Sequence, residues 1–114
     1  MLFKLISLSN FESEITEEKK PVLLAYIRRD HDYKEQTDVL YSISKNYGGA
    51  LKVCMLDEDS FDAFGVKLGI EGDPTFIGYY NGKEKGRILG KTDRETLISF
   101  VSRNLYLIAS YTSE

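Results

Sequence analysis

One segment of the sequence, Asp30-His31-Asp32-Tyr33, places side chains capable of acid–base chemistry or metal binding directly beside one another. His31 is the only histidine, and an imidazole exchanges protons near neutral pH, so a neighbouring aspartate could orient it as a general base. A metal site is not expected, because one histidine and two nearby aspartates lack the spaced ligand set that zinc requires. The structural alternative is that Asp30 or Asp32 caps a following helix.

The single cysteine, Cys54, excludes an intramolecular disulfide. It lies in the apolar run 51–56, which is typical of a strand covered on both faces. A buried thiol without a cationic neighbour is a poor nucleophile. We therefore expect a reduced core cysteine rather than a redox sensor.

The stretch 69–82 combines a Gly-rich turn, an Asp-Pro pair and an apolar run. Pro74 precedes the predicted strand 76–80, where its missing N–H costs no ladder hydrogen bond. Asn81-Gly82 tolerates two positive φ angles, so a tight hairpin and a second strand should follow.

The remaining patterns predict alternating strands and helices, in the order β-α-β-α-β-α-β-β-α. Strands are predicted at 3–8, 22–27, 51–56, 76–80 and 87–89. Helices are predicted at about 9–19, 32–47, 60–68 and 92–105. Ser9 with Glu12 and Thr92 with Glu95 have the spacing of capping boxes. Crossover helices between parallel strands and one hairpin together imply a mixed sheet with helices on both faces.

Length and composition indicate one globular domain covering residues 1–114, with 42% apolar and 29% charged residues. The net charge of −3 argues against nucleic-acid binding. No apolar run is long enough to span a membrane. The apolar start, 1–8, is too short for a secretion signal. We expect a cytoplasmic protein that binds neither nucleic acid nor membrane.

The chain resembles a thioredoxin over residues 7–105, with 106–114 as a C-terminal extension. The resemblance rests on Pro21-Val22-Leu23-Leu24, Tyr47-Gly48-Gly49, Leu56-Asp57-Glu58-Asp59, Leu68-Gly69-Ile70, Asp73-Pro74-Thr75-Phe76, Tyr80-Asn81-Gly82-Lys83, and Leu97 to Leu105. It implies an α/β thioredoxin fold, with a central mixed sheet of four to five strands and helices on both faces. It also implies a cis bond before Pro74.

The chain departs from that family at the reactive positions. Asp30 to Tyr33 stands where the resemblance places two cysteines and the residues between them, and Lys34 matches the lysine that follows. Ala25 and Met55 stand where the family carries a carboxylate and a lysine. Dithiol exchange needs an activated thiolate and a second thiol. We therefore expect no disulfide reductase activity, no other enzyme activity and no cofactor.

These departures lead to the hypothesis of a redox-inactive module that binds an extended protein segment through the cis-proline edge. The expected binding residues are Asp30, His31, Asp32, Tyr33, Gly72, Asp73, Pro74 and Thr75. Asp73 either biases that edge toward basic partners or only supports its turn. The alternatives are a non-redox enzyme that uses His31, or a homo-oligomeric role through the C-terminal helix and residues 105–108, so a homodimer is possible.

Overall fold

The computed structural model describes residues 3–108, which form five strands, three helices and three short helical turns. The strands are β1 (Lys4–Ile6), β2 (Val22–Tyr26), β3 (Lys52–Leu56), β4 (Thr75–Tyr80) and β5 (Lys83–Leu89). The helices are α1 (Tyr33–Tyr47), α2 (Phe61–Lys67) and α3 (Arg94–Asn104). Single turns lie at Glu12–Thr16, Gly48–Ala50 and Glu58–Ser60.

The strands form one mixed sheet in the order β1-β3-β2-β4-β5, which confirms the predicted architecture. β1, β3 and β2 are parallel, whereas β4 and β5 are antiparallel to their neighbours. β2 is therefore central, and all five of its residues are buried. Because β4 runs against β2, the carboxyl ends of β2 and β3 lie at the same edge as the start of β4.

Apolar side chains alternate between the two faces of the sheet and form a separate core on each. One core joins the sheet to α1 and α3 through residues such as Leu23, Leu40 and Leu97. The other joins it to α2 and the turn Glu12–Thr16 through Leu24 and Phe64. Covering both faces explains why β2 has a continuous apolar sequence.

The hairpin between β4 and β5 turns at Asn81 and Gly82, whose φ angles are 53° and 77°. Two positive φ angles are those that a type I′ turn needs, so the hairpin prediction is confirmed. β5 begins at Lys83, earlier than predicted, because pairing continues directly from the turn with Lys83 opposite Tyr80. The charged residues of this edge strand do not show the apolar alternation used to find strands.

Two predicted helix starts are wrong. In place of a helix from Ser9, a single π-helical turn ends with the Glu17 N–H donating to the Glu12 carbonyl at 2.9 Å. α3 is capped by Asp93, whose Oδ1 accepts the Thr96 N–H at 2.8 Å. Thr92 precedes that cap, and its hydroxyl donates to the Asp93 carbonyl at 3.3 Å instead of accepting a helix N–H.

The end of α3 also differs from the prediction. The helix stops at Asn104, and Tyr106 has a φ of 60°, so residues 106–108 do not extend it. Leu105 is 1% exposed and belongs to the core, which leaves it unavailable for a contact with a second copy. Residues 109–114, most of the predicted extension, lie outside the described residues.

Within residues 3–108, no helix is long and apolar enough to cross a membrane.

Candidate functional site

The two predicted binding segments, Asp30–Tyr33 and Gly72–Thr75, lie at the same edge of the sheet, and we call the pair the junction. The second segment is tied to the chain that follows β2, because the Arg28 backbone N–H donates to Asp73 Oδ1 at 2.9 Å. The Asp73–Pro74 peptide bond is cis, and Pro74 is buried. The Thr75 hydroxyl donates to the Gly72 carbonyl at 2.8 Å, which closes the turn before β4.

The side chain and the backbone of Asp73 differ in their hydrogen bonding. Its carboxylate is occupied by the Arg28 N–H, which supports the interpretation that this side chain holds the turn in place. Its backbone N–H and carbonyl form no hydrogen bond with any residue in 3–108, and the residue is exposed. The edge therefore offers a free donor and a free acceptor beside the start of β4.

The segment before α1 is ordered by Asp30 rather than capped by Asp32. Asp30 Oδ1 accepts the Asp32 N–H at 3.0 Å, and the Asp30 carbonyl accepts the Tyr33 N–H at 3.1 Å. Asp32 is the residue that precedes α1, but its side chain caps no helix N–H. The prediction of a side-chain cap from Asp30 or Asp32 is therefore wrong, and the carboxylate of Asp32 is directed to other groups.

His31 projects from this segment with 89% of its side chain exposed. Its Nε2 lies 3.6 Å from Asp32 Oδ2, while Asp32 Oδ1 lies 3.3 Å from the ammonium group of Lys91. Hydrogen bonds to Glu35, which has the larger effect, and to Asp32 raise the pKa of Lys91. Lys91 was not predicted from the sequence as part of this site, and it reaches this segment from the loop after β5.

Potential ligand atoms of Asp30, His31 and Asp32 lie within 4.8 Å of one another, so they could reach a common cation. Asp32 already shares its charge with Lys91. The expectation that this protein has no metal site stays a prediction.

Two arginines follow β2 and point to different surroundings. The Arg28 guanidinium donates to the Tyr26 hydroxyl at 3.0 Å and lies 5.3 Å from the centre of the Phe61 ring. Arg29 lies 3.4 Å from Glu58 Oε1 and over the ring of Tyr33 at 4.7 Å. Of the two arginines, Arg29 alone forms an ion pair within residues 3–108.

A depression of about 160 Å³ lies beside Arg29, at the carboxyl end of β3, and we call it the acidic notch. Its apolar walls include Ile27, Met55 and Phe61, and its acidic rim is Asp57, Glu58 and Asp59. A second depression, of about 280 Å³, lies next to the cis-proline turn and is lined by Glu71 and Asp73 among others. Sequence reasoning missed the notch, although three consecutive carboxylates after a strand were a visible signal.

Cys54 lies away from the junction, in the core on the α2 side of the sheet, and is fully buried. Burial raises the pKa of its thiol to about 12. The neighbouring Lys52 does not approach it as an activating cation, because the ammonium group donates to Glu14 Oε1 at 2.6 Å and to Glu18 Oε1 at 3.0 Å. The expectation of a core cysteine agrees with this geometry.

A five-stranded mixed sheet with helices on both faces and a cis-proline turn beside the start of its first long helix defines a class of α/β proteins with the thioredoxin fold. The thioredoxin family model matches residues 3–103, so the chain belongs to the thioredoxin family. Thioredoxin from Pseudomonas aeruginosa is 28% identical over 98 residues, which cover 85% of this chain and 91% of that protein. Thioredoxin from Rickettsia felis is 26% identical over 98 residues, 85% of this chain and 93% of that protein. Thioredoxin C-2 from Corynebacterium nephridii is 25% identical over 97 residues, 84% and 90% of the two chains.

These relatives correct two predictions made from the sequence. A redox-inactive binding module, with a non-redox His31 enzyme or a homo-oligomer as alternatives, was expected, as was the absence of enzyme activity. Relatives that are named thioredoxin and aligned over most of their length point instead to disulfide oxidoreductase chemistry, so both predictions are wrong. The error was to infer, from two cysteines missing in one segment, that the whole protein takes no part in thiol–disulfide chemistry.

Proposed function

We propose that this protein takes part in the exchange of protein disulfides and that it does so by holding an extended segment of a client protein against the junction. The observation that carries the proposal is the open backbone of Asp73, which is fixed through its own carboxylate to the Arg28 N–H. An extended peptide can pair with such free groups as an added strand. The names of the relatives support disulfides as the chemistry. The proposed client-binding residues are Asp30, His31, Asp32, Tyr33, Gly72, Asp73, Pro74 and Thr75.

The sulfur atoms that exchange belong, in this proposal, to the client and to a small dithiol. Cys54 is the only cysteine of the chain, and its buried thiol does not reach the junction. A thiolate of the dithiol attacks one sulfur of the client's disulfide, a new S–S bond forms, and the second client sulfur leaves as a thiolate. The second thiol of the reductant then releases the client, so the dithiol is oxidised while the client disulfide becomes two thiols.

His31 supplies a proton acceptor for this exchange. Its imidazole is exposed at the start of α1 and is held beside Asp32. A thiol must lose its proton before it attacks, and an imidazole can take that proton near neutral pH and return it to the leaving sulfur. The carboxylates of the junction repel an approaching thiolate, so attack as a thiol with deprotonation on contact is the route that this charge distribution favours.

The test is the reduction of insulin by dithiothreitol, followed by turbidity, with catalytic amounts of the full chain. We expect the wild-type protein to accelerate the reaction over dithiothreitol alone, and Cys54→Ser to accelerate it equally. His31→Gln should reduce the protein-dependent rate by about tenfold, which is below the usual general-base contribution of about a hundredfold or more because the ring is exposed. Asp62→Asn is the matched control, since Asp62 is exposed on α2 and lies outside the junction.

Two outcomes would overturn the proposal. Absence of any acceleration by the wild-type protein would remove the activity itself. Loss of the acceleration in Cys54→Ser, in a variant that melts like the wild type, would show that the chain provides the exchanging sulfur, contrary to the arrangement proposed here.

We also propose that the protein works in the cytoplasm. A single cysteine and no disulfide are what a reducing compartment allows. Fractionation of the source cells with an antibody to the chain would test this, and recovery in an extracytoplasmic fraction would contradict it.

A further inference from the structure

We infer that the acidic notch receives one lysine or arginine side chain of the client protein, so that clients carry a basic residue close to the segment held at the junction. This inference rests on the proposed function, since it names the kind of client that the junction holds. It depends on a different set of residues, which lie at the carboxyl end of β3 and the start of α2.

The first argument is the charge of the rim. Asp57, Glu58 and Asp59 are consecutive, and the only ion pair they form within residues 3–108 joins Glu58 to Arg29. The side chains of Asp57 and Asp59 make no hydrogen bond or ion pair with any residue in that range. Two carboxylates without a counter-charge on one rim attract a cation and repel an anion.

The second argument is the shape and lining of the notch. Its volume of about 160 Å³ suits a single long side chain rather than a segment of backbone. Ile27, Met55 and Phe61 form apolar walls beneath the charged rim. Lysine and arginine have an apolar stem and a charged head, so they can bury the stem against such walls while the head meets the carboxylates.

The third argument is that the protein already places one of its own guanidinium groups at this position. Arg29 lies over the Tyr33 ring at 4.7 Å and beside Glu58 at 3.4 Å. An aromatic face and a carboxylate are the two partners that a guanidinium group prefers. Arg29 neutralises one of the three carboxylates, which leaves Asp57 and Asp59 for a cation from outside.

The other side of the junction also carries more carboxylates than cations. Glu71 and Asp73 line the second depression together with one cationic residue, Arg28, whose backbone N–H donates to Asp73. An extended segment that crosses from one depression to the other passes carboxylates on both sides. A basic client is therefore favoured, and an acidic client is repelled.

The experiment measures binding of the full-length protein to a peptide of β-prone sequence in three versions. The termini of the peptide are blocked, and its cysteines are held in a disulfide. The versions carry arginine, its neutral isostere citrulline, or glutamate, at one position that is moved along the peptide. At the best position the arginine peptide should bind about tenfold tighter than the citrulline peptide in low salt, and this advantage should shrink in high salt. The glutamate peptide should bind more weakly than both.

Variants assign the preference to the notch. Asp57→Asn with Asp59→Asn should reduce the arginine advantage to about twofold or less, because both unpaired charges are removed. Asp62→Asn removes a carboxylate of the same helix region outside the notch and should keep the advantage. Asp59→Asn alone, at an exposed position, provides a second test if the double variant unfolds. Amide shifts in ¹⁵N spectra should include residues 57–59 for the arginine peptide only.

The outcomes separate this inference from the proposed function. If the arginine and citrulline peptides bind equally at every position and both shift the Asp73 amide, the notch inference is refuted while the junction stands. If the double variant keeps the full arginine preference, the cation lies elsewhere and the inference is again refuted. If no version of the peptide binds, both proposals fail together.

Discussion

The hydrogen bond between the Arg28 N–H and Asp73 Oδ1 ties the cis-proline turn of the junction to the chain that follows β2. Its contribution can be separated from that of the Asp73 charge by a pair of substitutions. Asp73→Ala removes both the acceptor and the charge. Asp73→Asn keeps an acceptor oxygen at the same position and removes only the charge. The bond is 2.9 Å long and links residues 45 positions apart in the sequence, so its loss affects two segments that local structure does not hold together.

The magnitude follows from the exposure of the two residues. Arg28 and Asp73 are both exposed, so an unpaired Arg28 N–H can bind water and leaves no buried donor. A hydrogen bond to a carboxylate under these conditions contributes about 1 kcal/mol to the free energy of unfolding. Asp73→Ala should therefore lower the urea midpoint by roughly 0.5–1 M for a domain of this size, and Asp73→Asn by less than half of that.

The assay is equilibrium unfolding in urea followed by circular dichroism, with Asp62→Ala as the control. Asp62 is exposed and its side chain forms no hydrogen bond or ion pair within residues 3–108, so its removal should change the free energy by less than about 0.5 kcal/mol. Asp73→Ala and Asp73→Asn with the wild-type midpoint would refute the argument that this bond holds the turn. Equal destabilisation of the two variants would show that the charge, and not the hydrogen bond, is responsible.

Three further predictions concern the core and the loops. Iodoacetamide should modify Cys54 in the native protein at about pH 8 roughly a thousandfold more slowly than a free cysteine, because burial raises the pKa of the thiol to about 12; a similar rate by mass spectrometry would contradict this. Gly82→Ala should lower the free energy of unfolding in urea by about 2–3 kcal/mol, and Gly48→Ala by about 1 kcal/mol. Both glycines have a positive φ, but only at Gly82 would the new Cβ meet a backbone oxygen, at 2.6 Å. Equal losses in the two variants would be inconsistent with that clash. The hydrogen bond from Lys52 lowers the pKa of Glu14. This contact therefore stabilises the fold above the ordinary glutamate pKa of about 4.3, and the stabilisation is lost as the pH falls through the lowered pKa. The urea midpoint should drop more steeply on acidification in the wild type than in Glu14→Gln.

The elements that sequence reasoning located best are those with a physical signal in every residue. β2 and β3 have continuous apolar runs because both faces of the sheet are covered, and the Asn81-Gly82 hairpin needs two positive φ angles that few dipeptides accept. The resemblance to thioredoxins then supplied the topology, and the family match supports it.

Helix starts were less predictable because several residues in each region are able to cap. Thr92 and Asp93 are adjacent and both have suitable side chains, and it is Asp93 that caps the helix, while the Thr92 N–H is bound by Gln36, 56 residues away. The residues around Ser9 and Glu12 likewise fit a capping box, but the chain forms only one π-helical turn there before it must enter β2. Of the two regions, the one at Thr92 and Asp93 is tied to a contact distant in sequence.

Both segments of the candidate site were named from the sequence, and their role in binding a client stays a prediction. Lys91 and the acidic notch, in contrast, reach the site from other loops. Single-residue patterns cannot show which loops meet at one edge of a sheet. The topology can show it, because the carboxyl ends of parallel neighbours and the start of an antiparallel strand come together.

The charge of this edge has opposite consequences for binding and for exchange. The carboxylates of the junction and of the acidic notch lie at or near the surface, so salt screens their charges over about 10 Å at 0.1 M. Added salt should weaken the binding of a basic client, because it screens attraction. It should also speed the exchange on a client already bound, because it screens the repulsion between these carboxylates and the thiolate that forms on contact. With a basic peptide disulfide as the client, a protein-dependent rate of reduction that rises with salt at saturating client and falls at low client would separate the two effects. A rate independent of salt in both regimes would mean that these carboxylates act on neither step.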